Sequence, residues 1–256
     1  MKCLAPFFFL LFSINLSAQK IIYSEVIGED NPEINFEILG KMEGNYVIYK
    51  NVRWKHMLAV YDEKMNLKDN SRITFIPDKT FNIDFVIYPD FFYMIYQYQS
   101  NNVIWCKSVK MSSSGKKLSE PVLLDTSRTR LVTNRKIYSV GFSDDKQKIL
   151  VYKMLRKNDK LALITKLYDA TLKLLDSTRH IFPFDIRKDV YSDFVVHNNG
   201  TFLFTKEQRS GPMDLVKVLE VLVRRPGEPE YHTLDVPVQG KYLEEIKIKI
   251  DNLNNN

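Results

Sequence analysis

Four stretches decide the fold: Tyr46-Val47-Ile48-Tyr49-Lys50, Tyr93-Met94-Ile95-Tyr96-Gln97, Ile149-Leu150-Val151-Tyr152-Lys153 and Phe202-Leu203-Phe204-Thr205-Lys206. Each is a β-branched and aromatic run bounded by polar turn residues, the composition of a half-buried strand. With Tyr49, Tyr96, Tyr152 and Thr205 taken as equivalent anchors, the runs recur at intervals of 47, 56 and 53 residues. What lies between them recurs too. After each anchor come a polar turn and a longer strand: Met57–Tyr61, Val103–Val109, Leu161–Tyr168 and Leu215–Val223. A second polar hairpin leads to a short strand: Ile73–Ile76, Val122–Leu124, His180–Phe184 and Tyr231–Val236. A further strand precedes each anchor, and few windows hold helical periodicity.

Four strands in a unit of about 50 residues are the pattern of β-propeller blades, each burying its faces against its neighbours. Val140-Gly141-Phe142-Ser143-Asp144-Asp145-Lys146, followed by the strand Lys148–Lys153, resembles the innermost hairpin of WD-repeat and related propellers. There a Phe-Ser-x-Asp-Gly-Lys turn joins the first two strands of a blade. Val196-His197-Asn198-Asn199-Gly200-Thr201 resembles the Asn-Gly form of that turn, and Tyr61–Leu67 and Tyr168–Leu174 resemble the next hairpin along. The Trp-Asp dipeptide is absent, Gly is scarce, and Asp145 stands where the turn prefers Gly. The resemblance covers residues 34 to 238 and implies a divergent propeller of the uncharacterised secreted bacterial type. The fold class read from the chain is therefore all-β, a propeller-like array of four complete units plus the start of a fifth. A β-sandwich or stacked β-meanders is the alternative.

The first eighteen residues supply an address. Lys2, the apolar run Leu4–Leu11 and Leu16-Ser17-Ala18 read as a secretory signal peptide cleaved after Ala18. The apolar run is too short to span a bilayer, and no later stretch approaches spanning length. The expected organisation is a signal peptide at 1–18, a repeat domain at 19–240, and the start of a further blade or a tail at 241–256. Secretion or residence in the periplasm follows from that reading. Cys106 is then the sole cysteine and cannot form an internal disulfide; in Val103-Ile104-Trp105-Cys106 it reads as a small buried hydrophobe.

The net charge of +6 and pI near 9.0 come from lysines and arginines spread along the chain, whose doublets Lys116-Lys117 and Arg224-Arg225 are only two residues long. No nucleic-acid module accompanies them, so nucleic acid is not an expected partner. No Gly-rich phosphate loop, Gly-x-Ser-x-Gly elbow or His-Glu-x-x-His pattern occurs, and His56, His180, His197 and His232 lack metal-ligand spacing. No cofactor or metal is implied. The default for His180 and His197 is a solvated surface position.

Two sets of residues carry candidate chemistry. Glu37, Asp84, Val140 and Asp193 lie twelve residues before the four anchors. Their apolar flanks (Phe36 and Ile38, Ile83 and Phe85, Phe194) predict acids directed to the opposite face, towards a central channel. Paired carboxylates of that kind serve as acid and base or nucleophile in glycoside hydrolysis; the plainer reading is a polar channel wall. Trp54, between Arg53 and Lys55, is the candidate for ligand contact, since sugars and peptides both stack on aromatic faces. Tyr49, Tyr96 and Tyr152 are expected to pack between blades. Two functions remain open: a non-catalytic binding or scaffold module taking a protein or glycan ligand at its loop face, and a carbohydrate-active enzyme using Glu37, Asp84 and Asp193.

Overall fold

The computed structural model describes residues 34–129, 135–210, 215–238, 243 and 246–252. The signal-peptide reading, with its cleavage after Ala18, lies outside these residues. Sixteen strands and no helix occur among the described residues. They form four separate four-stranded antiparallel sheets, each a meander in sequence order. Blade 1 is β1 (Ile34–Met42), β2 (Asn45–Val52), β3 (Lys55–Tyr61) and β4 (Leu67–Arg72); blade 2 is β5 (Thr80–Ile87), β6 (Phe91–Ser100), β7 (Val103–Ser112) and β8 (Val122–Arg128). Blade 3 is β9 (Tyr138–Phe142), β10 (Lys148–Lys157), β11 (Lys160–Asp169) and β12 (Leu174–Pro183); blade 4 is β13 (Asp189–Val196), β14 (Phe202–Ser210), β15 (Leu215–Arg224) and β16 (His232–Val236). The protein is an all-β, propeller-like array.

One expected strand is corrected. Ile73–Ile76 is not the outer strand of blade 1; that strand is β4, the polar segment Leu-Lys-Asp-Asn-Ser-Arg, exposed throughout. An outermost strand needs only its backbone partner, so apolar composition does not mark it. Ile73 and Ile76, each 5% exposed, instead plug the core from the connection that follows.

Period-two alternation stitches the blades together, because successive side chains of a strand face opposite neighbours. Along β6, Met94 and Tyr96 enter the core shared with blade 1, which also holds Val47, Tyr49, Leu58 and Phe85. Tyr93 and Ile95 enter the core shared with blade 3, beside Ile104, Cys106, Tyr138 and Val151. A third core joins blades 3 and 4 through Leu161, Leu163, Phe182, Phe202 and Phe204, with Tyr152 packed against it. Tyr49, Tyr96 and Tyr152 thus pack between blades, and Cys106 is wholly buried, burial pushing its thiol far above the usual range.

Beyond blade 4 the pattern changes. Its outer face carries Val216 and Leu219, covered by Val238, Leu243 and Ile246 rather than by blade 1. At the other end Phe36 and Ile38 are 66% and 62% exposed. No apolar core joins blade 4 to blade 1 among the described residues. Residues 246–250 carry no strand assignment, although the Ile248 N–H donates to the Asp193 carboxylate. No described helix is long and apolar enough to cross a membrane.

Polar staples supplement the cores. Gln97, wholly buried, donates to the Tyr138 carbonyl at 2.7 Å and accepts from the Tyr138 and Ile137 N–H groups at 2.9 and 3.1 Å. Lys153 of blade 3 reaches Asp125 of blade 2 at 2.6 Å, and Lys166 reaches the other carboxylate oxygen at 2.9 Å.

The two inner-hairpin turns share a geometry. Ser143 and Lys148 bond across the first, with the Lys146 N–H donating to the Ser143 carbonyl at 2.8 Å; His197 and Thr201 bond across the second, with the Gly200 N–H donating to the His197 carbonyl at 2.8 Å. The left-handed residue of the first turn is Lys146, φ 54°, and not Asp145; the Asp145 carboxylate instead accepts from Ser143 Oγ and the Gln147 N–H. His197 is 6% exposed, which corrects its expected surface position; its Nδ1 accepts from the Asn199 N–H inside the turn. Gly200 has φ +90°, and a Cβ there would lie 2.9 Å from Leu167 Cδ2 and 3.0 Å from Pro226 Cγ. Gly200→Ala is expected to lower stability by about 1–3 kcal/mol, the usual cost of a strained left-handed backbone, read as a lower urea midpoint with unchanged slope.

Candidate functional site

Glu37, Asp84, Val140 and Asp193 lie on the innermost strands β1, β5, β9 and β13, where their spacing placed them. Their registers differ. Glu37 pairs across the ladder with Tyr49, and so shares a face with it. The residues opposite Tyr152 and Thr205 are Ser139 and Ser192, whereas Asp84 lies opposite Ile95. The anchors themselves are out of phase: Tyr49 and Tyr152 face the following blade, Tyr96 the preceding one. A one-residue slip exchanges the faces of a strand. Glu37, Asp84, Ser139 and Ser192 are therefore the positions facing the next blade, and Val140 turns back into the core between blades 2 and 3. Asp193 sits in a bulge between Ser192 and Val195 with φ 53°.

Two of the three acids feel one another's charge. Glu37 on blade 1 faces blade 2, and its carboxyl is raised above the ordinary value by partial burial and then by the charge of Asp84, with Lys136 opposing. Asp84 is engaged at both oxygens. Lys136 Nζ donates to Oδ1 at 2.6 Å and Asn82 Nδ2 to Oδ2 at 2.7 Å. Its charge also reaches Tyr152, whose hydroxyl is raised first by burial, the hydrogen bond to Ser139 opposing. Asp193 belongs elsewhere: among the described residues its carboxylate meets the Ile248 N–H, and no hydrogen bond or ion pair joins it to Glu37 or Asp84. Lys136 was missed because it lies on no strand and 52 residues from Asp84. Only the packing of blade 3 on blade 2 joins them.

The flanks behave unevenly. Ile83 and Phe85 pack in the core between blades 1 and 2, and Phe194 against the core between blades 3 and 4. Phe36 and Ile38 do not pack in any described core, because blade 1 has no described neighbour on that side. Polar chemistry elsewhere is sparse: no group of three His, Cys, Asp or Glu among the described residues is arranged to hold a metal ion.

Trp54 stands at the opposite kind of position, a turn. Arg53 and Trp54 join β2 to β3 with φ 49° and 65°, the two left-handed residues of a type I′ hairpin. Asn101 and Asn102 occupy the same turn of blade 2 with φ 48° and 59°. Asn tolerates this conformation; Trp and Arg do so at a cost in backbone strain. Trp54 nonetheless holds the strained position with 48% of its surface exposed. In a four-stranded meander the second-to-third-strand turn and the exit from the fourth strand lie at one end. The Ile73 N–H bonding the His56 carbonyl, and the Phe184 N–H bonding the Asp159 carbonyl, place them together. Trp54 and the blade-to-blade connections therefore share a loop face.

Glu37 and Asp84 thus face the next blade and not the expected central channel, and the described residues define an all-β array of four four-stranded blades with a loop face. No family model and no curated protein matches the chain. Solved structures similar to it include the endo-arabinase from Bacteroides thetaiotaomicron, with 15% identity, 81% of this chain and 75% of that chain covered, and a TM-score of 0.38. Hydrazine synthase of Kuenenia stuttgartiensis is also similar, at 9% identity over 87% of this chain and 72% of that chain, with a TM-score of 0.35. Neither likeness carries an argument about chemistry.

Proposed function

We propose that this chain is a non-catalytic binding module, exported by its leader sequence, that engages a polypeptide partner through its loop face. The observation that supports this reading most is the state of the inner-strand acids. Both oxygens of Asp84 are held by Lys136 and Asn82, and Asp193 is drawn to the backbone of Ile248. Each oxygen keeps a second lone pair, but the ion pair with Lys136 fixes and neutralises the Asp84 carboxylate, which suits a structural acid better than a free base. Trp54, strained and half-exposed, supplies the kind of rigid aromatic that anchors a binding face.

The carbohydrate-active reading keeps one specific observation in its favour. Glu37 is raised above its ordinary value by burial and by the charge of Asp84, and carboxyl pairs whose environments differ are where acid and base roles arise. Turnover separates the two readings. Release of reducing ends from a panel of soluble polysaccharides is expected to stay at background for the parent and for Asp84→Asn alike. Turnover by the parent that Asp84→Asn abolishes, with the melting transition kept, would overturn the binding-module reading.

A further inference from the structure

Between blades 3 and 4, on the loop face, lies an open cleft of about 660 Å³. Its blade 3 wall is built from Asp159, in the turn between β10 and β11, and from Phe184 beyond β12; its far wall carries Asp189 and Lys206. The ladder puts those two on one face. Asp189 begins β13 and shares its side with Tyr191, which pairs with Lys206, and Tyr191 packs into the core towards blade 3.

Three acids, Asp159, Asp185 and Asp189, share the lining with two cations, Arg187 and Lys206. Lys206 is already paired with Glu220 at 2.8 Å. Asp185, in the connecting loop, accepts from the Arg187 N–H at 2.9 Å and lies 3.5 Å from Lys188 Nζ. Asp189 is 8% exposed. Its Oδ2 accepts from the Asp185 N–H at 2.8 Å, while its buried Oδ1 has no partner among the described residues. A carboxylate oxygen removed from water without a donor is costly, and native structures supply one. The donor that fits here is cationic, since Asp159 adds a second carboxylate at the rim with no described side-chain partner. Among the described residues no group of acids is arranged to hold a metal. The remaining lining is mixed: Pro183, Ile186 and Gln208 stand beside Phe184, which is 4% exposed and already carries the Arg156 guanidinium at 4.7 Å from its ring centre.

We infer that this cleft is a pocket for the guanidinium group of an arginine side chain on a polypeptide partner. A planar, weakly hydrated cation with a fork of donors can meet the Asp189 carboxylate and the Asp159 carboxylate at the rim together, which a compact ammonium does less well. The inference rests on the binding-module reading and names what that module grips.

The test is a titration of the isotope-labelled chain with Nα-acetyl-L-arginine amide, followed by amide NMR. Arginine amide is expected to shift the amides of Asp159 and of residues 184–189 saturably, and the neutral citrulline analogue to leave them unmoved. The lysine analogue is expected to bind several-fold more weakly. Asp189→Asn should weaken arginine binding about tenfold, the usual loss for one charge-assisted hydrogen bond. Because Asp189 also caps its own loop, the exposed Asp159→Asn serves as a second variant, expected to weaken binding about threefold through lost charge alone. Equal shifts with citrulline, shifts confined to another surface, or affinity unchanged in both variants would overturn the pocket; lysine binding as tightly as arginine would overturn the guanidinium assignment. Polysaccharide turnover decides the underlying reading separately, so the two failures cannot be confused.

Discussion

Asp125→Ala is expected to destabilise the array by about 3–5 kcal/mol, the cost of removing one partner of a buried ion pair. Asp125 is 14% exposed in its side chain and Lys153 9%, and they meet at 2.6 Å across the boundary between blades 2 and 3. Without the carboxylate, Lys153 keeps only the Thr126 carbonyl, Ser127 Oγ and Tyr138 hydroxyl, neutral groups that do not balance its charge. Lys166 loses its partner too, but its side chain is 27% exposed, so Lys166→Met should cost under about 1 kcal/mol. For a chain of this size the Asp125→Ala loss corresponds to a melting temperature lower by roughly 6–20 °C.

The same site sets an acid limit. Burial alone would raise the Asp125 carboxyl, but hydrogen bonds and charge from Lys153 and Lys166 outweigh it and hold the group below its ordinary value. A depressed folded value means that its contribution is fully present above the unfolded value of about 3.9 and is lost as pH falls through the folded one. The parent should therefore lose stability below about pH 4 more steeply than Asp125→Ala. Parallel acid slopes in the two proteins would show that Lys153 does not hold this carboxylate ionised.

Phe204→Ala is expected to cost about 3–5 kcal/mol, and Phe204→Leu under about 1.5 kcal/mol. Phe204 is wholly buried and lies 5.2 Å from Phe194, 5.3 Å from Tyr231 and 5.6 Å from Phe202, ring centre to ring centre. Removing it hollows the centre of the core between blades 3 and 4. In an array whose units contact only their neighbours, such damage stays local. Hydrogen exchange should show blade 4 amides losing protection first, with β6 and β7 retaining theirs. Uniform loss across all four blades would instead show that the array unfolds as one unit.

The limits of reading the chain show in particular residues. The anchors Tyr49, Tyr96 and Tyr152 were legible as inter-blade residues because β-branched and aromatic runs at a steady interval can bury two faces only by stacking. Which neighbour each tyrosine meets was not legible. It depends on a one-residue slip in blade 2 and on bulges in β1, β5 and β13, and a slip of one residue leaves composition and spacing almost unchanged. Strand β4 was missed for a related reason: its six residues are polar and exposed, and only the backbone of β3 makes them a strand.

The candidate sites divide in the same way. The sequence alone determined that the chain is all-β and repeated, that its innermost strands carry Glu37, Asp84 and Asp193, and that Trp54 sits in a turn. Each is a local property, set by side-chain period and by the residues that turns demand. Tertiary structure decided that Glu37 and Asp84 share a field with Lys136 while Asp193 does not. It also decided that Asp189 is buried with an unpaired oxygen beside Asp159, a residue 30 positions away in the chain. Electrostatic partners are chosen by distance in space, and in a stack of blades that partner can belong to the neighbouring unit, as Lys136 does for Asp84 and Lys153 for Asp125.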